Sequence, residues 1–341
     1  MTERAAEARL SIDRYILILD SNRRPELAYD GQPFAEWHAE LRARVLGLMG
    51  PRPSFPPLNV RTVASESFPE YTQRLIEYET SPGMVVPAYL LVPTGASAAN
   101  PAPAILVQHG HHGVSNGKEP LVSRDDSPDM YAHLARRYAE NGFVVLVPDA
   151  IGFGERSHNF RRYGGRDGCN VNFIKLALFG TSLMSLTYWD DTRALDYLSS
   201  LPEVDASRIG ASGLSFGGTR TMYLSALDDR IRAAIVSGYL TTFRSYALED
   251  GNFCGSQFPP GIYAYGDIAD VHGLIAPRPL LIQAGKGDRG FPLESSRIAH
   301  AQLTRIYQGA GVPDRLERDE YDGGHEFNPT SALEFMNRHV R

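Results

Sequence analysis

The chain has 341 residues, 43% of them hydrophobic and 22% charged, the balance of a globular protein with core enough for one or two domains. A net charge of −6 leaves no basic footprint for nucleic acid, and no stretch approaches the ~18 consecutive apolar residues of a membrane span. Cys169 and Cys254 form neither a C-x-x-C motif nor a disulfide framework, and the N-terminus lacks the apolar run of a secretory signal. Idle thiols in a reducing cytoplasm are the expectation.

Residues 1–60 read as a helical arm and linker. Pro33 leads into Trp37, Leu41, Val45, Leu46 and Leu48 at helical spacing, Gly50-Pro51 stops the pattern, and Pro53, Pro56 and Pro57 extend the connector. Such an arm either packs on the main domain, the simpler expectation, or pairs two copies into a homo-oligomer. Strands are predicted from about Gln73 to Thr80 and from Met84 to Val92, joined by Ser81-Pro82-Gly83, and Pro87 suggests an edge position for the second. Residues 104–108 (A-I-L-V-Q) are an apolar run suited to burial on both faces. Helices are then predicted around 131–139, 186–201, 217–227, 299–307 and after Ser331, and strands at 143–147, before Gly213, and at 233–236, 280–284 and 316–321. Strands alternating with helices imply an α/β fold with a mostly parallel central sheet and helices on both faces, here spanning 61–341. Two weakly periodic intervals, 152–185 and 239–277, are read as lid-like insertions.

The chemistry centres on Gly213-Leu214-Ser215-Phe216-Gly217, a G-x-S-x-G pattern between a strand and a helix. That turn exposes a serine hydroxyl above the sheet, beside a helix N-terminus. A serine needs a base within reach, and the base needs a carboxylate to orient it. Asp288 and His325 follow later strands in that order, each just past a strand's C-terminal end, where open α/β sheets place their sites. Asp319, Glu320 and Asp322 are rival carboxylates on or beside the strand that carries the histidine. Negative charge developing on a carbonyl oxygen needs donors, for which the backbone N–H groups of Phe216 and of His111, in Gln108-His109-Gly110-His111-His112-Gly113, are the candidates. The three histidines could alternatively ligate a metal, but no acidic or thiol residue lies at ligand spacing, so no metal is expected. A packing role suits His109, and Asp149, in Asp149-Ala-Ile-Gly152-Phe-Gly154-Glu155-Arg156-Ser157, is expected to bond nearby backbone.

Taken together, His109-Gly110, the Asp149–Ser157 stretch, the G-L-S-F-G-G turn, Ala276-Pro-Arg-Pro279, Gly285-Lys-Gly-Asp288 and Gly324-His325 resemble the α/β-hydrolase superfamily over residues 73–341. The likeness is greatest to bacterial esterases of the dienelactone-hydrolase-like and acetyl-xylan-esterase-like groups. The resemblance implies the α/β-hydrolase fold, a Ser-His-Asp triad, and hydrolysis of small carboxylic esters without a cofactor. Two departures narrow it: dienelactone hydrolases proper use a cysteine where Ser215 stands, and glucuronoyl esterases carry an arginine where Phe216 stands.

The interval 158–185 carries aromatic residues, Phe179 among them, with Arg161, Arg162 and Arg166; a second wall is expected from 239–265. His112, Phe179 and Tyr239 are the candidate pocket residues, facing a small-molecule ester. The alternatives are a serine peptidase like the prolyl oligopeptidases, whose β-propeller the first ~70 residues are too few to build, and a hydrolase-fold module that binds without catalysis.

Overall fold

The computed structural model describes residues 11–111, 116–157, 168–250 and 253–341. The arm supplies α1 (Ile12–Ser21) and α2 (Phe34–Leu48). Helix α2 buries Trp37, Leu41 and Val45 in the main core, and Trp37 Nε1 donates to the Leu27 carbonyl. Arg42 reaches the Leu227 carbonyl, and Trp189 donates back to Met49. The arm is therefore sewn onto the main body at several points. Helix α1, by contrast, leaves Ile12, Tyr15, Ile18 and Leu19 exposed.

The sheet comprises β1 (Arg61–Ser67), β2 (Tyr71–Ser81), β3 (Met84–Pro93), β4 (Ala102–Gln108), β5 (Val144–Pro148), β6 (Val204–Leu214), β7 (Ile231–Ser237), β8 (Leu280–Gly285) and β9 (Leu316–Tyr321). Among the described residues it has nine strands in the order β1-β2-β3-β5-β4-β6-β7-β8-β9. The first three strands and the β3–β5 pair are antiparallel, and the rest are parallel. The helices α3 (Leu134–Glu140), α4 (Gly168–Ala177), α5 (Leu183–Ser200), α6 (Phe216–Leu227), α7 (Ile268–Gly273), α8 (Leu293–Gly309) and α9 (Pro329–His339) cover the faces.

Strand β4 shows how the apolar run works. Ala104 and Leu106 enter one core, whereas Ile105 and Val107 enter the core on the opposite face. Alternate side chains of a strand point to opposite faces, so an unbroken apolar run fills both.

Two strand expectations are corrected. Strand β1 was not predicted: every residue in it is exposed, so no buried stripe marks it. Strand β3 is not an edge, since it lies between β2 and β5. Pro87 is tolerated because β5 ends at Pro148, opposite Ala88, and the chain turning away there donates from Asp149 N to the Pro87 carbonyl. The N–H that proline lacks would point to the same side as that carbonyl, at the very end of the β3–β5 ladder, so only a terminal bond is forgone.

Candidate active site

Ser215 joins β6 to α6 with φ 60° and ψ −124°, a left-handed backbone that a β-carbon disfavours. Strain of this kind is of order 1–3 kcal/mol and persists only where the surroundings over-determine it. Here Ser215 N donates to the Ser237 carbonyl at 2.9 Å, and its own carbonyl accepts from Thr219 N at 3.0 Å. The glycines beside it allow the close packing: a β-carbon on Gly217 would collide with the Gln108 carbonyl, and one on Gly213 with the Gly217 carbonyl. Helix α6 is buried along its whole length, so the corner cannot relax outward.

Asp288 and His325 come from the loops after β8 and β9. His325 Nδ1 lies 2.7 Å from Asp288 Oδ2. The other carboxylate oxygen accepts from Gly290 N at 2.8 Å and Phe291 N at 3.0 Å, so both oxygens are fixed. With Nδ1–H donating to the carboxylate, Nε2 is the basic nitrogen of the ring. Phe291 stacks on the imidazole at 5.4 Å and 10°, and Gly238 keeps its other surroundings clear, since a β-carbon there would lie 3.0 Å from the ring. The rival carboxylates are engaged elsewhere: Asp319 with Asn328 and Ser331, Glu320 with Arg297 and Arg318, Asp322 with Lys286. Ser215 and His325 line one cleft of about 700 Å³, together with His111, Phe253, Cys254 and Phe291.

The loop after β4 runs across the serine corner. A β-carbon on Gly110 would lie 2.5 Å from the Leu214 carbonyl, 3.0 Å from Ser215 Cβ and 3.2 Å from Phe216 N. The Phe216 amide is the first of α6, one of the N–H groups for which helix geometry provides no partner. Buried polar groups hold the loop there. Arg220 pairs with Asp191 through two bonds, of 2.6 and 3.0 Å, and also reaches the His109 carbonyl. Gln108 donates to Asp191 at 2.8 Å and accepts from Thr221 at 2.7 Å. None of these three residues stood out in the sequence, because Gln108 ends an apolar strand and Asp191 lies mid-helix. His109 accepts from Ala150 N through Nε2 and so donates through Nδ1 to the Gly110 carbonyl. Burial holds its pKa well below the ordinary value, and the ring packs as a neutral imidazole.

The Asp149 stretch carries a charge cluster whose centre, Lys118 and Asp149, is buried while Glu155 is half exposed. Lys118 Nζ, fully buried, lies 2.8 Å from Asp149 and 2.6 Å from Glu155, and Lys118 N donates to Asp149. Burial is the largest single influence and opposes the ammonium charge, but Asp149, Glu155 and Glu119 together outweigh it and raise the Lys118 pKa. Arg156 forms a largely buried pair with Asp190 at 2.8 Å.

Three pocket expectations fare differently. Tyr239 is buried and packs against Tyr246, His272 and Phe291, behind the cleft wall instead of in it. Phe179 is 84% exposed in the turn after α4 and is not among the residues lining the cleft. His112, like the aromatic and arginine residues of 158–167, lies outside the described residues. The wall expected from 239–265 is present in Tyr246, Phe253, Cys254 and Gln257.

The cysteines depart furthest from expectation. His111 Nε2 lies 3.5 Å from Cys254 Sγ and 3.8 Å from Cys169 Sγ. Cys254 has a pKa well below the ordinary thiol value, through its hydrogen bond with Cys169 and, against the effect of burial, through His111. Thiol partners for the histidine do exist; they are 58 and 143 positions away, where no spacing rule would look.

The comparisons with known proteins bear on this geometry. The model of the Abhydrolase family matches residues 17–324. The candidate hydrolase YtaP of Bacillus subtilis (strain 168) is 29% identical over 295 residues, which cover 84% of this chain and 93% of YtaP. Acetyl esterase Axe7A of Xylanibacter ruminicola is 26% identical over 182 residues, 49% of this chain and 41% of Axe7A. The crystal structure of a candidate acetyl xylan esterase from Bacteroides fragilis NCTC 9343 superposes with a TM-score of 0.76 at 22% identity, covering 92% of this chain and 82% of that one. With a family match over most of its length and a serine corner set in a mostly parallel sheet, the chain belongs to the Abhydrolase family and has the α/β-hydrolase fold.

Proposed function

We propose that the chain is a serine esterase that hydrolyses small carboxylic esters through an acyl-enzyme. The observation that carries this reading is the 2.7 Å bond from His325 Nδ1 to Asp288, with the same imidazole sharing a cleft with Ser215 at a strained corner. His325 Nε2 takes the Ser215 Oγ proton as the oxygen attacks the ester carbonyl. The amides of Phe216 and His111 are the proposed donors to the developing oxyanion. The imidazolium then returns its proton to the departing alcohol. Water, deprotonated by the same nitrogen, releases the acyl group as a carboxylate and restores the serine.

The cleft's aromatic wall of Tyr246, Phe253 and Phe291 suits a small apolar acyl group. An acetyl ester of a carbohydrate fits this reading, and the names of Axe7A and of the Bacteroides fragilis protein point the same way.

A panel of esters varied separately in acyl and alcohol parts tests the proposal. Short acyl esters are expected to turn over, and Ser215→Ala to remove turnover while the protein keeps its melting temperature within a few degrees. Wild-type rates in the folded Ser215→Ala protein would end the proposal.

A further inference from the structure

We propose that His111, Cys169 and Cys254 form a binding site for a thiophilic divalent cation, of which Zn²⁺ is the natural occupant, in the wall of the cleft. The inference is independent of the esterase reading, because its readouts are those of metal coordination.

The ligand atoms are already at metal-site spacing. Zn–S bonds of about 2.3 Å and Zn–N bonds of about 2.0–2.1 Å in a tetrahedron put sulfur and nitrogen about 3.6 Å apart and two sulfurs about 3.8 Å apart. The two observed S···N separations are 3.5 and 3.8 Å, and the three ligand atoms lie within 4.8 Å of one another. A cation could therefore enter with shifts of tenths of an ångström. Two thiolates and one imidazole are a donor set that selects zinc over hard cations such as Mg²⁺.

The surroundings hold this arrangement in place. Gly255 N donates to Asn170 Oδ1 at 2.8 Å, tying the residue after one cysteine to the residue after the other. The segments approach so closely that a β-carbon on Gly255 would collide with Phe173. Ser256 Oγ lies 2.8 Å from Cys254 Sγ, positioned to orient that sulfur, as hydrogen bonds around metal ligands do. Cys169 stands in the first turn of the ten-residue α4, where a thiolate is favoured. The His111 ring is set by Phe153 at 5.0 Å and Phe216 at 5.2 Å.

Among the described residues three protein ligands converge, and two of them, His111 and Cys254, line the same cleft as Ser215. The fourth tetrahedral position would be left to water or to a ligand entering the cleft. Binding replaces the thiol protons: each S–H that is still protonated gives up H⁺ as its S–Zn bond forms, and no electron changes hands.

The test uses the full chain, reduced with a phosphine and freed of metal by chelation, with Co²⁺ as the spectroscopic probe. One Co²⁺ per chain is expected, with a thiolate-to-cobalt charge-transfer band in the near ultraviolet that Zn²⁺ abolishes by displacement. Cys169→Ser and Cys254→Ser should each weaken the band and lower the affinity at least tenfold. No such band in the wild type, or an unchanged band in either variant, overturns the site. Should the variants not fold, zinc-edge X-ray absorption on the wild-type protein with one equivalent of Zn²⁺ decides. Two sulfurs at about 2.3 Å support the proposal, and a shell of nitrogen and oxygen alone overturns it, as does failure to retain zinc.

Discussion

Asp288 divides its two oxygens between one imidazole and two backbone amides, and that division makes its proposed role testable without damage to the loop. Asp288→Asn can keep a carbonyl oxygen facing Gly290 N and Phe291 N, but then turns an NH₂ group toward His325 Nδ1. The ring must present a lone pair there and carry its proton on Nε2, which is the wrong tautomer for a base. A loss of about 10⁴-fold in kcat is expected, with KM little changed, as for the corresponding change in serine proteases. Steady-state kinetics on a short ester measures it, and a loss under tenfold would mean that Asp288 does not set the tautomer. Gly110 tests the proposed oxyanion donors in the same way. A β-carbon on it would lie 3.2 Å from Phe216 N and 2.5 Å from the Leu214 carbonyl, so the crossing loop must move to admit it. Displacing one donor costs about 2.7–4 kcal/mol of barrier. Gly110→Ala is accordingly expected to lower kcat by about 10²- to 10³-fold while the melting temperature falls by only a few degrees. Unchanged kcat in the folded variant would place the donors elsewhere.

The elements that carry these residues are held by a polar network that no hydrophobic pattern reveals. Arg220 on α6, Asp191 on α5 and Gln108 on β4 are all buried, and their bonds fasten the serine corner to the helix and strand beside it. Breaking a buried ion pair by removing one partner typically costs about 3–5 kcal/mol, because the remaining charge has no water to turn to. Arg220→Met should show a loss of that size in urea unfolding, and adding Asp191→Asn should recover part of it, since the two changes share one interaction. Equal, additive losses would show that the pair does not act as a unit. The contrast with the serine corner shows what the sequence can carry. Ser215, Asp288 and His325 stand out as candidates in the sequence because each sits at a strand end marked by glycines, so local chemistry and position coincide. Gln108, Asp191, Arg220 and the His111–Cys169–Cys254 cluster depend on contacts between segments far apart in the chain, and nothing in any one segment announces the partner. Pro87 and β1 were misread for a related reason: an edge is a property of the whole sheet, and periodicity within one strand does not report its neighbours.

At the scale of the whole molecule, buried titratable groups couple stability to pH, and two of them act in opposite directions. His272 is fully buried beside Tyr239, with Nδ1 on the Ile268 carbonyl and Nε2 without a hydrogen-bond partner among the described residues. Burial brings its pKa down to about 4 from 6.5. Between those values the unfolded chain binds a proton that the folded one refuses, so stability falls as pH is lowered through 6.5 and levels off only near 4. The full window is worth roughly 3 kcal/mol. Asp267, five residues earlier, is pushed by burial up to about 6. There the folded chain holds a proton that the unfolded one has lost, so stability rises as pH falls from 6 toward 3.8, and the two effects offset each other in the wild type. A simple pH profile of the wild-type melting temperature consequently does not isolate the histidine. The variant His272→Phe exposes it: a ring of similar shape stays in the core but no longer distinguishes the two states by proton uptake. Relative to the wild type, this variant should gain about 2 kcal/mol between pH 7 and pH 5, whatever its offset at pH 7. Urea unfolding of both proteins at the two pH values measures the difference, and an offset that stays constant would show that His272 takes up its proton as readily in the folded chain as in the unfolded one.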